Sequence, residues 1–366
     1  MITRLRAVAT RWTTTVPVLA IVLLGFTWGR DLPAAVVVLV SVVLALSVLA
    51  AVHHAEVVAH RVGEPFGSLV LAVAVTIIEV ALIVTLMADG GDKSATLARD
   101  TVFAAVMITC NGIVGISLLA AALRHRVAIF QSEGTGGALA TVATLATLCL
   151  VLPTFTTSKL GPEFSTSQLV FSAVSAVVLY GLFVATQTVR HRDYFLPITK
   201  HGEVIDADDH ADVPTTRTAL ISLGMLGLAL ISVVGLAKGV SKTIEQGVAA
   251  AGMPHAVVGV IIALLVLLPE TIAALRAARR DRVQTSLNLA LGSAMASIGL
   301  TVPAVAIASF WLSGPLILGL GATHMVLLAL TMVVSTLTIV PGRATPLQGG
   351  VHLVILAAYI ELAVTP

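Results

Sequence analysis

The chain alternates long apolar runs with short polar breaks. A helix needs about 20 mostly apolar residues to cross the hydrocarbon of a bilayer. Eleven runs approach that length, at 14–29, 33–52, 66–88, 101–122, 138–155, 168–188, 217–237, 253–275, 286–311, 315–339 and 348–364. They predict an all-α polytopic membrane protein with about 11 transmembrane helices. The longest polar stretch, Arg190–Thr216, falls between the sixth and seventh runs, and its centre His201–Asp212 reads HGEVIDADDHAD. It divides the chain into an N-terminal segment with the first helix (1–32), a first half (33–189), a linker (190–216) and a second half (217–366).

Composition agrees with the pattern. Apolar residues make up 57% of the chain and charged residues 11%, against about 25% charged in a soluble domain. No single soluble core could hide so much apolar surface. A net charge of +2 gives no basis for nucleic-acid binding. The two cysteines, Cys110 and Cys149, lie inside apolar runs and suggest neither a disulfide framework nor a zinc cluster. Arg4, Arg6 and Arg11 precede the apolar stretch Val16–Phe26, as in a signal peptide. No small-x-small cleavage site follows, so the stretch is read as an uncleaved first span.

The basic residues orient the chain. If the N-terminus is cytoplasmic and every run crosses, only Arg30, Lys93, Arg99, Lys159, Lys238 and Lys242 of the 21 Lys and Arg face outside. The positive-inside rule favours this arrangement over its inverse. The expected location is the inner (plasma) membrane, with the C-terminus external.

Two glutamates carry the candidate chemistry. A charge in the hydrocarbon costs roughly 2.5–3.5 kcal/mol by insertion scales, so such residues need a reason. Glu79 lies inside GSLVLAVAVTIIEVALIVTLM and Glu270 inside VVGVIIALLVLLPETIAAL. Each follows a turn-like stretch, Gly63–Gly67 or Gly252–Pro254, and each precedes a run with an Asn-x-x-x-Gly pattern, Asn111–Gly115 or Asn288–Gly292. The two glutamate runs cross in opposite directions. Runs 2–6 and 7–11 therefore form two inverted five-helix repeats after an extra N-terminal helix, the arrangement of secondary transporters. Ser293, Ser297 and Thr301 recur at i, i+4 and i+8 and share a helical face. Pro269 removes a backbone donor beside Glu270 and loosens the preceding turn. Thr76 lies one turn before Glu79. Oxygen ligands around two carboxylates suit a hard divalent ion such as Ca²⁺. Glu79 and Glu270 are thus the expected metal ligands, with Thr76, Asn111, Asn288, Ser293 and Ser297 as further ion-binding candidates.

The segments GEPFGSLVLAVAVTIIEVALIVTLM and LPETIAALRAARRDRVQTSLNLALGSAMASIGLTVP resemble the two signature repeats of the calcium/cation antiporter superfamily. Within it they are most similar to bacterial calcium/proton antiporters of the ChaA type. The likeness runs from about the second span to the eleventh. It implies an eleven-span fold with two inverted repeats and proton-driven extrusion of Ca²⁺. It places Glu79 and Glu270 as the central acidic ligands, and Asn111 and Ser293 in the polar segments of the second helix of each motif. The acidic stretch occupies the position of the family's inter-repeat linker. Many relatives carry Gly-Asn-x-x-Glu before each glutamate. Here the four preceding residues are Val75–Ile78 and Val266–Pro269, which removes potential ligands.

The remaining candidates are weaker. Glu203, Asp206, Asp208, Asp209 and Asp212 form either a solvated linker or a regulatory, cation-sensing segment, with interspersed histidines suited to pH sensing. His53, Glu56 and His60 share a helical face but lack metalloprotease spacing, and they read as an interfacial segment. His324 and His352 lie within spans and are candidate proton relays or buried neutral histidines. No phosphate-binding loop supports an ATP-driven pump. The expected function is a secondary antiporter exchanging Ca²⁺ for H⁺, cation and protons competing for the two glutamates. The alternative is Na⁺/H⁺ or K⁺/H⁺ antiport on the same fold. No enzyme activity and no resident cofactor are expected. The partners are the ions and the lipid bilayer, with a homo-oligomer left open.

Overall fold

A computed structural model describes residues 2–30, 32–63, 66–88, 95–198, 214–312 and 314–366. The described chain is mostly helical, with one two-residue strand pair. In order the helices are α1 (Ile2–Thr27), α2 (Ala34–Val62), α3 (Phe66–Ala88), α4 (Leu97–Met107) and, after a π-helical turn at Ile108–Ile113, α5 (Val114–His125). Strand β1 (Ala128–Ile129) precedes α6 (Ser132–Ala146), a second π turn at Thr147–Val151, α7 (Leu152–Phe155) and α8 (Thr166–Ala185). Then come α9 (Thr216–Ala250), α10 (Ala256–Val266), α11 (Leu268–Arg279), α12 (Val283–Gly299), α13 (Thr301–Ala308), α14 (Ala322–Ile339), β2 (Arg343–Ala344) and α15 (Pro346–Val364).

Among the described residues nine helices are long and apolar enough to cross a membrane, or ten if the bent pair α10–α11 forms one span. The first predicted run, 14–29, falls largely in α1. The predicted run at 33–52 ends too early: α2 continues to Val62 through His53, Glu56 and His60. Polar residues inside a helical segment hide its end from a hydropathy reading.

Contacts divide the chain into two units, Met1–Asp89 with Ala211–Gly252, and Gly90–His210 with Met253–Pro366. Each draws helices from both predicted halves. In the first unit α1, α2, α3 and α9 pack together. A Cβ on Gly235 of α9 would lie 2.5 Å from Leu24 of α1, so these two helices meet at a residue without a side chain.

In the second unit, hydrogen bonds define two ends. At one end β1 pairs antiparallel with β2, the Arg124 guanidinium donates to the Arg279 carbonyl at 2.9 Å, and the Gln131 N–H donates to Gln284 Oε1 at 2.7 Å. At the other end the Ile317 N–H donates to the Ala95 carbonyl, and that of Gly319 to the Pro162 carbonyl. Successive spans of this unit, α4–α5, α6–α7, α8, α10–α11, α12–α13, α14 and α15, therefore run between the two ends in alternate directions. Capping boxes at Ser165/Gln168 and Thr345/Gln348 start α8 and α15 by satisfying orphan N–H groups.

Helix α8 shows which solvent the second unit is built for. Ser172, Ala176 and Phe183 form its buried stripe, while Phe171, Val174, Val178 and Leu182 face outward, each more than half exposed. An apolar stripe of that length is stable facing lipid and unstable facing water.

Candidate functional site

In the first unit, α3 is unbroken and mostly apolar. Ala74, Ile78, Leu82, Ile83 and Leu86 are buried, while Val73 and Ile77 on the opposite side are exposed. Glu79 lies on the buried side at 5% exposure, with Thr76 one turn earlier at 6%. The two share a face because three residues make nearly one turn. Thr76 and Glu79 thus lie together on the buried side of α3.

In the second unit, Glu270 stands at a break. Helices α10 and α11 meet at 52° across Leu267. Pro269 occupies the first turn of α11 and has no N–H to return to the previous turn. The Leu267 carbonyl receives both the N–H of Thr271, at 2.9 Å, and its hydroxyl, at 2.7 Å. Both bonds belong to the first turn of α11, so they start the second half-helix at Leu267. Glu270 lies in the first turn of α11, where the helix dipole favours a negative charge. Helix α11 packs on α12 and α5.

Helix α12 is buried except along one stripe. Thr285, Asn288, Leu289, Gly292 and Ser293 are half-buried there, and all but Leu289 are small or polar. A Cβ on Gly292 would meet nothing within 4 Å. Ser297 is 2% exposed, and Thr301 is fully buried just after the helix breaks at Leu300.

The two asparagines predicted as counterparts have different settings. Asn111 is fully buried in the π turn. Its Nδ2 donates to Thr331 Oγ1 at 2.9 Å, and its Oδ1 lies 3.2 Å from His352 Nδ1. Asn288 sits near the start of α12, at the arginine-rich end. Its Nδ2 donates to the Phe195 carbonyl at 2.6 Å, and its Oδ1 accepts from Gln284 at 2.9 Å. The two Asn-x-x-x-Gly stretches also pack differently. A Cβ on Gly115 would lie 3.0 Å from the Gly349 carbonyl oxygen, whereas Gly292 borders open space. A five-residue match cannot report depth along a helix.

One further buried carboxylate leaves little trace in the sequence. Asp100, in the first turn of α4, is 7% exposed. Its oxygens accept from the Thr96 hydroxyl at 2.9 Å and from Arg99 Nε at 2.8 Å. The only sequence signal was an Arg-Asp pair at the edge of an apolar run, which reads as a loop. Gly259 of α10 packs on its backbone, a Cβ there falling 3.1 Å from the Asp100 carbonyl carbon.

His53 is half-buried and Glu56 and His60 are exposed, whereas the neighbouring His54 is buried and its Nε2 bonds the Thr13 carbonyl at 3.0 Å. His324 is half-buried with its ring 5.0 Å from that of Phe103. Glu203, Asp206, Asp208, Asp209 and Asp212 lie outside the described residues. Among the described residues no group of three His, Cys, Asp or Glu side chains is arranged to hold a metal.

Known proteins share this architecture. The family described as sodium/calcium exchanger protein matches residues 32–189 and 221–365. The chain is 46% identical over 362 residues to y4hA of Sinorhizobium fredii, a candidate ionic transporter by name, covering 97% of this chain and 96% of the relative. It is 36% identical to the sodium-potassium/proton antiporter ChaA of Escherichia coli, covering 94% of this chain and 93% of that one. Among solved structures, the H⁺/Ca²⁺ exchanger CAX superposes with a TM-score of 0.67 at 16% identity, covering 96% of this chain and 91% of that one.

Proposed function

The chain belongs to the sodium/calcium exchanger protein family, and on that premise we propose that it is a proton-coupled antiporter that extrudes Ca²⁺, with cation and protons competing for Glu79 and Glu270. The observation that carries this reading is the placement of Glu270. It stands in the first turn of a half-helix, beyond a proline-supported break, inside a segment apolar enough to span. Broken helices of this kind supply ion sites in transporters. Glu79 brings a buried carboxylate to the other unit.

A carboxylate binds a cation only when ionised. Protonated glutamates are neutral and cross a low-dielectric core without an uncompensated charge, whereas the empty, doubly charged state resists that motion. Exchange in place of leak follows from this asymmetry. The arginine-rich end, with Arg124, Arg126, Arg279, Arg280, Arg282 and Arg343, faces the cytoplasm in this reading, and the end with Arg99 and Lys159 faces outside.

Antiport of Na⁺ or K⁺ is the second reading. It is favoured by the activity for which the 36% identical relative is named, and by the residues Val75–Ile78 preceding Glu79, which offer no amide side chain as a ligand. Purified protein in vesicles with an imposed pH gradient separates the two. Ca²⁺-dependent dissipation of the gradient is expected. Dissipation by Na⁺ or K⁺ alone would give the second reading, and no dissipation by any of the three would overturn both.

A further inference from the structure

The middle of the α4–α5 span is not a regular helix. At Ile108–Ile113 it widens into a π turn, and every residue of that turn is buried. A π turn carries one extra residue and is seldom stable without something to hold it. If it relaxed to α geometry, the following turns would rotate by about 100° relative to those before.

The hold is visible in the second unit. Asn111, within the turn, donates through Nδ2 to Thr331 Oγ1 of α14 at 2.9 Å. Its Oδ1 then accepts from His352 Nδ1 of α15 at 3.2 Å. With the proton on Nδ1, Nε2 is the acceptor for the Thr338 hydroxyl, also at 3.2 Å. Thr331, Thr338 and His352 are all buried, His352 completely. Backbone contact supports the same place. A Cβ on Gly112 would lie 3.0 Å from Leu356, and one on Gly115 3.0 Å from His352 Cβ. Simple packing of α5 on α15 needs only these glycines. Four polar side chains in an apolar interior cost free energy unless each is satisfied, and these partners satisfy one another.

The held turn has neighbours that matter. Helix α12, with Ser293 and Ser297, packs directly on Ile108–Ile113, and so does α11, which begins with Glu270 in its first turn. We propose that His352 is a positioning residue for ion exchange: with Thr331 it fixes Asn111, and through it the π turn against which α11 and α12 rest. The proposal builds on the antiport reading but does not require His352 to carry a proton. It also accounts for Asn111 without making it a cation ligand in this conformation.

The test uses full-length protein in vesicles and in detergent. His352→Leu should raise the KM for Ca²⁺ about tenfold, the worth of one buried hydrogen bond, with a smaller change in maximal rate. His352→Asn, which keeps a donor near the Nδ1 position, should recover most of the loss. The pH profile of exchange should stay that of the wild type. In an Asn111→Ala background, His352→Leu should cost clearly less than in the wild type, since the Asn111 contact it removes is already gone and only the Thr338 bond is left to lose. Amide hydrogen exchange gives a readout independent of transport: amides of 108–113 should exchange faster in His352→Leu while those of α8 do not. Thr331→Val, which keeps volume and removes the acceptor, serves if His352→Leu does not fold. Additive effects, a shifted pH profile, or unchanged exchange at 108–113 would overturn the positioning role. Loss of all wild-type transport would overturn the antiport reading instead, and amide exchange would still decide whether His352 holds the turn.

Discussion

Glu79 and Glu270 reach their settings by different local means. Glu79 is buried because it lies on the packed face of a continuous helix. Glu270 is half-buried and placed by a helix start. In either setting the neutral amide of Gln keeps the size and hydrogen bonding of the side chain but cannot become anionic. Glu79→Gln and Glu270→Gln should each abolish exchange while the purified protein remains folded and monodisperse; full transport by either would remove that residue from the mechanism. Proton competition has its own signature. Where both carboxylates are protonated, each displaced proton contributes a factor of ten, so the apparent Kd for Ca²⁺ should rise up to about 100-fold per pH unit lost. A Kd independent of pH would place the proton path elsewhere.

At the scale of elements, three of the irregular places in the helices carry candidate residues. The α10–α11 break precedes Glu270, the π turn holds Asn111, and α12 gives way to α13 between Ser297 and Thr301. Pro269→Ala restores an N–H and should straighten α10–α11. Turnover is expected to fall by about 10- to 100-fold, as misplacement near 1 Å does in other sites, with insertion unchanged. Wild-type turnover would show that the bend is not needed. The glycines of the second unit give a paired prediction on stability. A Cβ on Gly349 would lie 2.7 Å from the backbone nitrogen of Leu119, so Gly349→Ala should destabilise by about 1–3 kcal/mol. Gly292→Ala meets open space and should be neutral or stabilising by up to about 1 kcal/mol. Thermal unfolding in detergent distinguishes them.

For the whole molecule, the two ends of the second unit make a topological prediction. Arg343→Cys and Lys159→Cys lie at opposite ends. An impermeant thiol reagent on intact cells should label Lys159→Cys and spare Arg343→Cys; the native Cys110 and Cys149 are buried and do not compete. The reverse pattern would invert the orientation. The acidic stretch allows a further measurement. Removal of 202–212 is expected to alter activation by cytoplasmic cation or pH more than maximal rate. Identical response curves would reduce the stretch to a tether.

The sequence by itself determined the membrane solvent, the approximate positions of the spans and the two glutamates as the carboxylates deepest in apolar runs. It could do so because the cost of burying charge and the length needed to cross hydrocarbon act locally, along a single helix. The break beside Glu270 was legible for the same reason, since a proline acts on its own turn. Tertiary structure alone decided what each polar side chain meets. Asn111 and Asn288 look alike in their five-residue motifs, yet one joins a buried lock with Thr331 and His352 while the other pins the Phe195 carbonyl. Asp100 reads as a loop residue but is buried because α10 brings Gly259 onto its backbone. His54 is held through a carbonyl 41 residues away. Hydrogen-bond partners distant in sequence leave no local periodicity, so a hydropathy reading finds where a polar group is buried and the packed helices determine what it does there.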